Sequence, residues 1–396
     1  MVRIFLVLPL LLVSCTLPPS PSRETIKIAS LLPRQGSAAS RTACIFNSIA
    51  LALEQCGHEA GGYRLELVDI DHSQAAGTWN SAIRRVEGAI DDLATDPDVM
   101  VVIGPYNSGV AKMALPVFNQ AGLLMISPAC SWPGLTKSGM ADPGEPGLYR
   151  PTGKVSFARL ALADDVQASV AATWARKNFV KSVFILDDGE TWGKGLAGTF
   201  QAACDRLGIR VVGRQSINAE ERDFKALMAG IKPLEPDLVY FGGTTQTRAG
   251  EIGRDLVAAN LSGRYMVSDG CHEDAFILAA GAGNLNGRCF MTSALIPSER
   301  AEGGFPLFAI PYRQKYGHLP GEWGIYAYEA TRVAIEAIRR AGKKDRDAIP
   351  AACLAIRDFD GVLGKWSFDK NGDTTRRTVA IYAVREGKFE FVEATE

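Results

Sequence analysis

From residue 26 the chain alternates short apolar runs with longer stretches whose apolar residues recur every three or four positions. Runs at 26–32, 64–69 and 99–103 read as strands, and the stretches at 45–56 and 75–94 between them read as helices. Val99-Met-Val-Val-Ile103 is apolar at every position, the pattern of a strand covered on both faces and hence of a parallel sheet. The connections are long enough for right-handed crossovers, so the pattern is that of a doubly wound α/β lobe. A helix at 110–120 and a strand at 123–126 extend it.

After a Gly/Pro-rich stretch at 134–147 the pattern begins again. Helices at 162–177, 193–207, 224–231 and 249–260 alternate with strands at 182–186, 210–212, 237–241 and 264–267. A long amphipathic helix at 323–340 follows, then closing strands at 363–368, 378–384 and 389–392. The expectation is two doubly wound parallel-sheet lobes joined by a hinge that the chain crosses three times, near 149–152, 291–294 and 372–378. The first lobe is expected to take 24–149 plus 294–375, and the second 150–293 plus 376–396. Length agrees, since a chain of 396 residues exceeds what one hydrophobic core usually holds.

The start of the chain has a different character. Arg3 precedes an apolar run at 4–13 that is too short to span a bilayer, so residues 1–14 read as a secretory signal peptide. Leu12-Val13-Ser14-Cys15 resembles the lipobox of bacterial lipoproteins, in which the cysteine is acylated and becomes the new N-terminus. The Pro-rich segment 15–23 then reads as an extended tether. Acyl chains on Cys15 would anchor the protein outside the cytoplasmic membrane, each buried methylene adding roughly 0.8 kcal/mol.

Composition narrows the function. The 43 basic and 44 acidic residues are intermixed and leave a net charge of −1, so no basic stripe exists for a nucleic-acid backbone. Of the eight cysteines, seven remain besides Cys15, without the spacing of a zinc site or of a dense disulfide framework. Cys271 and Cys289 form one candidate pair in an oxidising compartment, against burial as small hydrophobes for most of the seven. There is no Gly-x-Ser-x-Gly elbow, no His-Glu-x-x-His and no P-loop lysine, and the four histidines are scattered. His272-Glu273-Asp274 reads as a solvated face rather than a metal cluster. No enzyme, cofactor or metal is expected.

Two predicted strands break into small residues, glycine, proline and hydroxyls: Gly104-Pro-Tyr-Asn-Ser108 and Ser127-Pro-Ala-Cys-Ser131. Ligands of doubly wound sheets gather outside the carboxyl ends of the strands, where Ser108, Ala129 and Ser131 stand. Together with Asp188-Gly-Glu-Thr-Trp-Gly-Lys-Gly195, Asp237-Leu-Val-Tyr-Phe-Gly-Gly243, Tyr326-Ala-Tyr-Glu-Ala330 and Gly361-Val-Leu-Gly-Lys-Trp-Ser-Phe-Asp369, these segments resemble the type I periplasmic binding protein superfamily. The resemblance is to its leucine/isoleucine/valine-binding branch and covers nearly all of 24–396.

The resemblance implies a monomeric receptor that closes on an amino acid and hands it to an ATP-binding-cassette permease. A ligand-sensing regulatory module of the same fold is the alternative. By resemblance, Ser108 and Ser131 hold the α-carboxylate, the Ala129 carbonyl and Asp269 take the ammonium group, and Trp192 closes over the ligand from the second lobe. Tyr106 and Cys130 line the first-lobe wall. Neutral hydroxyls suit a buried carboxylate, because they donate without adding a second buried charge. Plainer roles are open at the same positions: a helix cap for Ser108, turn residues for Ser131 and Asp269, packing for Trp192. Arg41, in the first loop, reads as solvated; pointed inward, it favours an acidic or carbonyl-bearing side chain. Thr244, where the family's aliphatic binders often carry an aromatic, and Trp132, in place of a small residue, mark a rebuilt side-chain pocket. Asn107 stands where the family has a disulfide cysteine.

Overall fold

The computed structural model describes residues 24–36, 38–73, 79–139, 142–294 and 304–395. The signal peptide, the tether and Cys15 lie outside them. The first lobe is built from β1 (Thr25–Leu32), α1 (Ala39–Gln55), β2 (Glu59–Ala60), β3 (Tyr63–Asp71), α2 (Trp79–Thr95), β4 (Val99–Ile103), α3 (Ser108–Gln120), β5 (Leu124–Ser127) and β6 (Phe157–Arg159). Its sheet runs β2-β3-β1-β4-β5-β6, parallel except for the short β2–β3 pair. Every residue of β4 is buried, as a strand with helices on both faces requires.

The second lobe contains α4 (Asp164–Lys177), β7 (Ser182–Asp187), α5 (Thr191–Leu207), β8 (Arg210–Ser216), α6 (Lys225–Ile231), β9 (Leu238–Gly242), α7 (Ala249–Ala258), β10 (Arg264–Ser268), α8 (Asp274–Ala280) and β11 (Cys289–Ser293). The chain then returns through α9 (Phe305–Tyr316), α10 (Glu322–Ala341), α11 (Ala348–Leu354) and the hairpin β12 (Phe359–Gly361) and β13 (Gly364–Trp366), all packed on the first-lobe core. It ends in β14 (Val379–Arg385) and β15 (Lys388–Thr395), which add two antiparallel strands to the second sheet, ordered β15-β14-β11-β10-β9-β7-β8.

Both sheets thus repeat one order: the second strand outside the first, then the third, fourth and fifth on the other side. The direction in which successive strands are added reverses between β1 and β4 in one lobe and between β7 and β9 in the other, and a crevice opens at the strands' carboxyl ends there.

The first passage between lobes differs from expectation. Phe157–Arg159 pairs in parallel with Met125–Ser127, so the chain leaves the first sheet after Arg159 and not near 149–152. Arg159 is fully buried at this point. Its Nε donates to Asp373 at 2.7 Å, Nη1 to the carbonyl of Trp132 at 2.7 Å and Nη2 to the Thr136 hydroxyl at 2.6 Å. Burial would raise Asp373, but Arg159, with Lys137 and Thr136, keeps it below its ordinary pKa. The predicted strand at 363–368 is instead the hairpin β12–β13, and its turn caps a buried glutamate: Glu329 of α10 accepts from the backbone of Val362 and the indole of Trp366. All seven described cysteines are free thiols, and Cys271 and Cys289 are not bridged.

Candidate functional site

The loops after β1, β4 and β5 face those after β7, β9 and β10, and most of the singled-out residues lie on them or on the helix turns that follow. Gly104, directly after β4, has a φ of +127°, and a Cβ there would stand 2.6 Å from the Leu31 carbonyl oxygen. The close approach places the following loop against the end of β1. Ser108 is the first residue of α3; its side chain makes no cap, and instead accepts the Trp132 backbone N–H at 3.4 Å.

The loop after β5 is organised from within. Ser127 accepts from the backbone N–H groups of Ala129 and Cys130 and donates to the Pro105 carbonyl, which ties it to the neighbouring loop. Ala129, Ser131 and Ser108 are all buried. Cys130 has no exposure and its sulfur faces the Pro105 carbonyl, so it packs behind the wall of the cleft; burial pushes its thiol up to about 12.

Ser131 meets the second lobe. The Trp192 indole N–H, on the first turn of α5, donates to the Ser131 hydroxyl at 2.9 Å and to Asp164 Oδ1 at 3.1 Å. Ser131 also bonds Asp164, whose backbone N–H donates to the Ser131 carbonyl. Asp164 is fully buried and its Oδ2 has no hydrogen-bond partner in the protein. Burial pushes its carboxyl up to about 7, and the negative charge of Asp269 adds to the effect. Asp269 is likewise pushed up to about 6 by burial, although it accepts from Gln167 at 3.1 Å. Two buried carboxylates therefore flank the end of the cleft that holds Ser131. Sequence reasoning found Asp269 and missed Asp164 and Gln167, because an acid at a helix start reads first as a complement to the helix dipole.

Arg41 lies on the first turn of α1 rather than in a loop, and it is not solvated. Nη1 donates to the Tyr106 hydroxyl at 3.4 Å, and Nη2 reaches the other lobe, 3.2 Å from the Gly270 carbonyl and 3.1 Å from Glu273. Tyr106 stands edge-on to Trp323, with ring centres 6.2 Å apart. His272 of the second lobe faces Glu322 at the start of α10. Thr244 is engaged locally: its hydroxyl accepts from the Thr247 N–H in a reciprocal cap, and Thr247 donates to the buried Asp188.

Trp132 is held by two charged groups of its own lobe and its ring crosses to α5. Its indole donates to Glu145 at 2.7 Å, and Lys112 Nζ sits 4.6 Å from the ring centre. A Cβ on Gly195 would fall 2.3 Å from the ring, so only glycine leaves room for the indole there. Among the described residues no group of three or more His, Cys, Asp or Glu could hold a metal ion, and no helix is long and apolar enough to cross a membrane.

Two doubly wound lobes that meet across a polar cleft define a two-lobed binding protein. The chain belongs to the family described as "Periplasmic binding protein", whose model matches residues 25–388. It is 28% identical over 366 residues to the Leu/Ile/Val-binding protein BraC3 of Rhizobium johnstonii, covering 92% of each chain. It is 26% identical over 330 residues to a leucine-, isoleucine-, valine-, threonine- and alanine-binding protein of Pseudomonas aeruginosa, covering 80% of this chain and 83% of that one. Among solved structures, the leucine-binding protein LivK of Thermotoga maritima superimposes with a TM-score of 0.78 at 23% identity, covering 93% of this chain and 98% of that one. LivJ of Streptococcus pneumoniae in complex with isoleucine gives 0.77 at 22%, covering 94% and 99%.

Proposed function

We propose that the protein is the extracytoplasmic substrate-binding component of an amino-acid importer, closing its lobes on the ligand's main-chain end. The observation that carries the reading is the orphaned, buried Oδ2 of Asp164 beside Asp269, at the end of the cleft where Ser131 stands and near the buried Ser108 hydroxyl. Two buried acids, one with an oxygen that no protein group bonds, suit an ammonium group, and the hydroxyl and amide donors suit a carboxylate. Names of relatives such as the BraC3 protein of Rhizobium johnstonii support an amino acid as the ligand class. Because Ser131 bonds Asp164 and Trp192, we assign the carboxylate chiefly to the Ser108 hydroxyl and nearby amides, and treat Ser131 as the link between the two halves of the grip. Closure brings Asp269 and Trp192 onto the same ligand as Ser108 and Ala129, so binding selects the closed arrangement. Delivery then goes to a membrane permease, with the protein held at the membrane through acylated Cys15.

Calorimetry with the twenty L-amino acids tests the site. Ser108→Ala and Asp269→Asn are each expected to weaken the best ligand by about 10- to 100-fold, the usual range for a bond to a charged group. Unchanged affinity in both variants would refute the assignment. Intact mass spectrometry of membrane-extracted protein tests the anchor, which predicts a chain beginning at an acylated Cys15.

A further inference from the structure

We infer that Glu273 is a specificity-determining residue: it masks Arg41 in the closed cleft and so excludes amino acids with acidic side chains. The inference rests on the amino-acid reading above. Taken alone, Arg41 is a guanidinium on the first lobe, largely shielded and beside the Tyr106 hydroxyl, which is how a receptor for glutamate or aspartate would be furnished. It is not alone. Glu273 Oε2 lies 3.1 Å from Arg41 Nη2, and the same nitrogen donates to the Gly270 carbonyl at 3.2 Å.

Glu273 belongs to the other lobe and is held in position there. Its Oε1 accepts from the Gln246 side chain at 2.8 Å, so both of its oxygens are engaged, one within its own lobe and one across the cleft. The acid therefore arrives at Arg41 as part of lobe closure, already oriented. A ligand carboxylate at this end would find the guanidinium neutralised. It would also face the charge of Glu273, with Glu322 across the cleft beside His272. Exclusion of a wrong ligand by a like charge is as effective a source of selectivity as a new contact to the right one. Neutral side chains disturb none of these bonds.

The experiment compares the full-length mature protein with Glu273→Gln, which keeps the shape and the acceptor oxygen for Arg41 but removes the charge. L-Glutamate and L-leucine are titrated by calorimetry into both. Glu273→Gln is expected to bind L-glutamate at least about tenfold more tightly than the unmodified protein does, with L-leucine changed by less than about threefold. Adding Arg41→Gln to that variant is expected to abolish the gain, which assigns it to the unmasked guanidinium. Preference of the unmodified protein for L-glutamate over L-leucine would overturn the inference, as would the absence of any gain in Glu273→Gln. If neither protein binds any of the twenty amino acids, the amino-acid reading falls together with the inference; if neutral amino acids bind but no gain appears, only the inference falls.

Discussion

Asp164 and Asp269 sit where the lobes meet as acids that water can no longer stabilise, and under the proposed function their protons take part in the binding reaction. The folded chain keeps protons on these two carboxyls, raised to about 7 and about 6, at a pH where the unfolded chain has released them. Unfolding therefore releases protons between about pH 4 and 7, and these residues subtract stability as the pH rises through that window. Asp164→Asn is expected to raise the melting temperature of the ligand-free protein at pH 8 and to change it little at pH 4, which thermal unfolding at the two values would show. Under the proposed function an arriving ammonium group reverses the balance by favouring the ionised acids. Binding at pH 6 is expected to release protons to the buffer, measurable as a dependence of the calorimetric heat on buffer ionisation enthalpy, and to release few at pH 8. Asp164→Asn should diminish that release.

The residues legible in the sequence at this scale were those on loops whose composition is unusual, such as Ser108, Ala129 and Ser131. Trp192 and Asp269 came from the resemblance. Those missed had ordinary explanations in one dimension. Asp164 starts a helix, Gln167 stands one turn later, and only the third dimension turns both towards Asp269. Arg41 was legible as a position but not as a charge, because its partner Glu273 is more than two hundred residues away.

At the scale of elements, α3 and α5 carry one of the contacts between the lobes. Trp132 projects from the loop beside α3 into the space that Gly195 leaves on α5, and Thr191 at the start of α5 approaches Gly109. Gly195→Leu would fill that space while leaving every proposed ligand contact in place. It is expected to weaken L-leucine binding by at least about tenfold by disfavouring the closed arrangement, as overpacking at a tight contact does. Small-angle scattering would show no contraction of this variant on adding L-leucine, with an unaltered circular dichroism spectrum. Most elements could be read from apolar periodicity, with ends displaced by at most six residues. β2, β6, α8, β11, α9 and α11 were not read, and two of them show why. β6 is three residues long and offers no period. α9 contains Pro306 and Pro311 and leaves Leu307 and Ile310 exposed, so no single apolar face marks it.

For the whole molecule, two lobes of the same strand order are joined where Arg159 and Asp373 meet. The pair is buried and also holds the carbonyl of Trp132, so the passage between lobes and the loop carrying Ser131 are one hydrogen-bonded unit. Removing one partner leaves an uncompensated charge: Asp373→Ala is expected to cost about 3–5 kcal/mol, read from urea unfolding. The two-lobe plan was legible because each lobe repeats its own alternation of strand and helix. The place where the chain changes lobes was not, because it depends on a three-residue strand and on an ion pair between distant segments.

The bond from Trp192 to Ser131 has one more consequence. Of six tryptophans, Trp132 and Trp192 both have their rings at the surface where the lobes meet. Their emission depends on the polarity and hydrogen bonding around the indole, so opening and closing should change the colour and intensity of the protein's own fluorescence. The molecule carries an optical gauge of its conformation, and screening for what it binds requires no label.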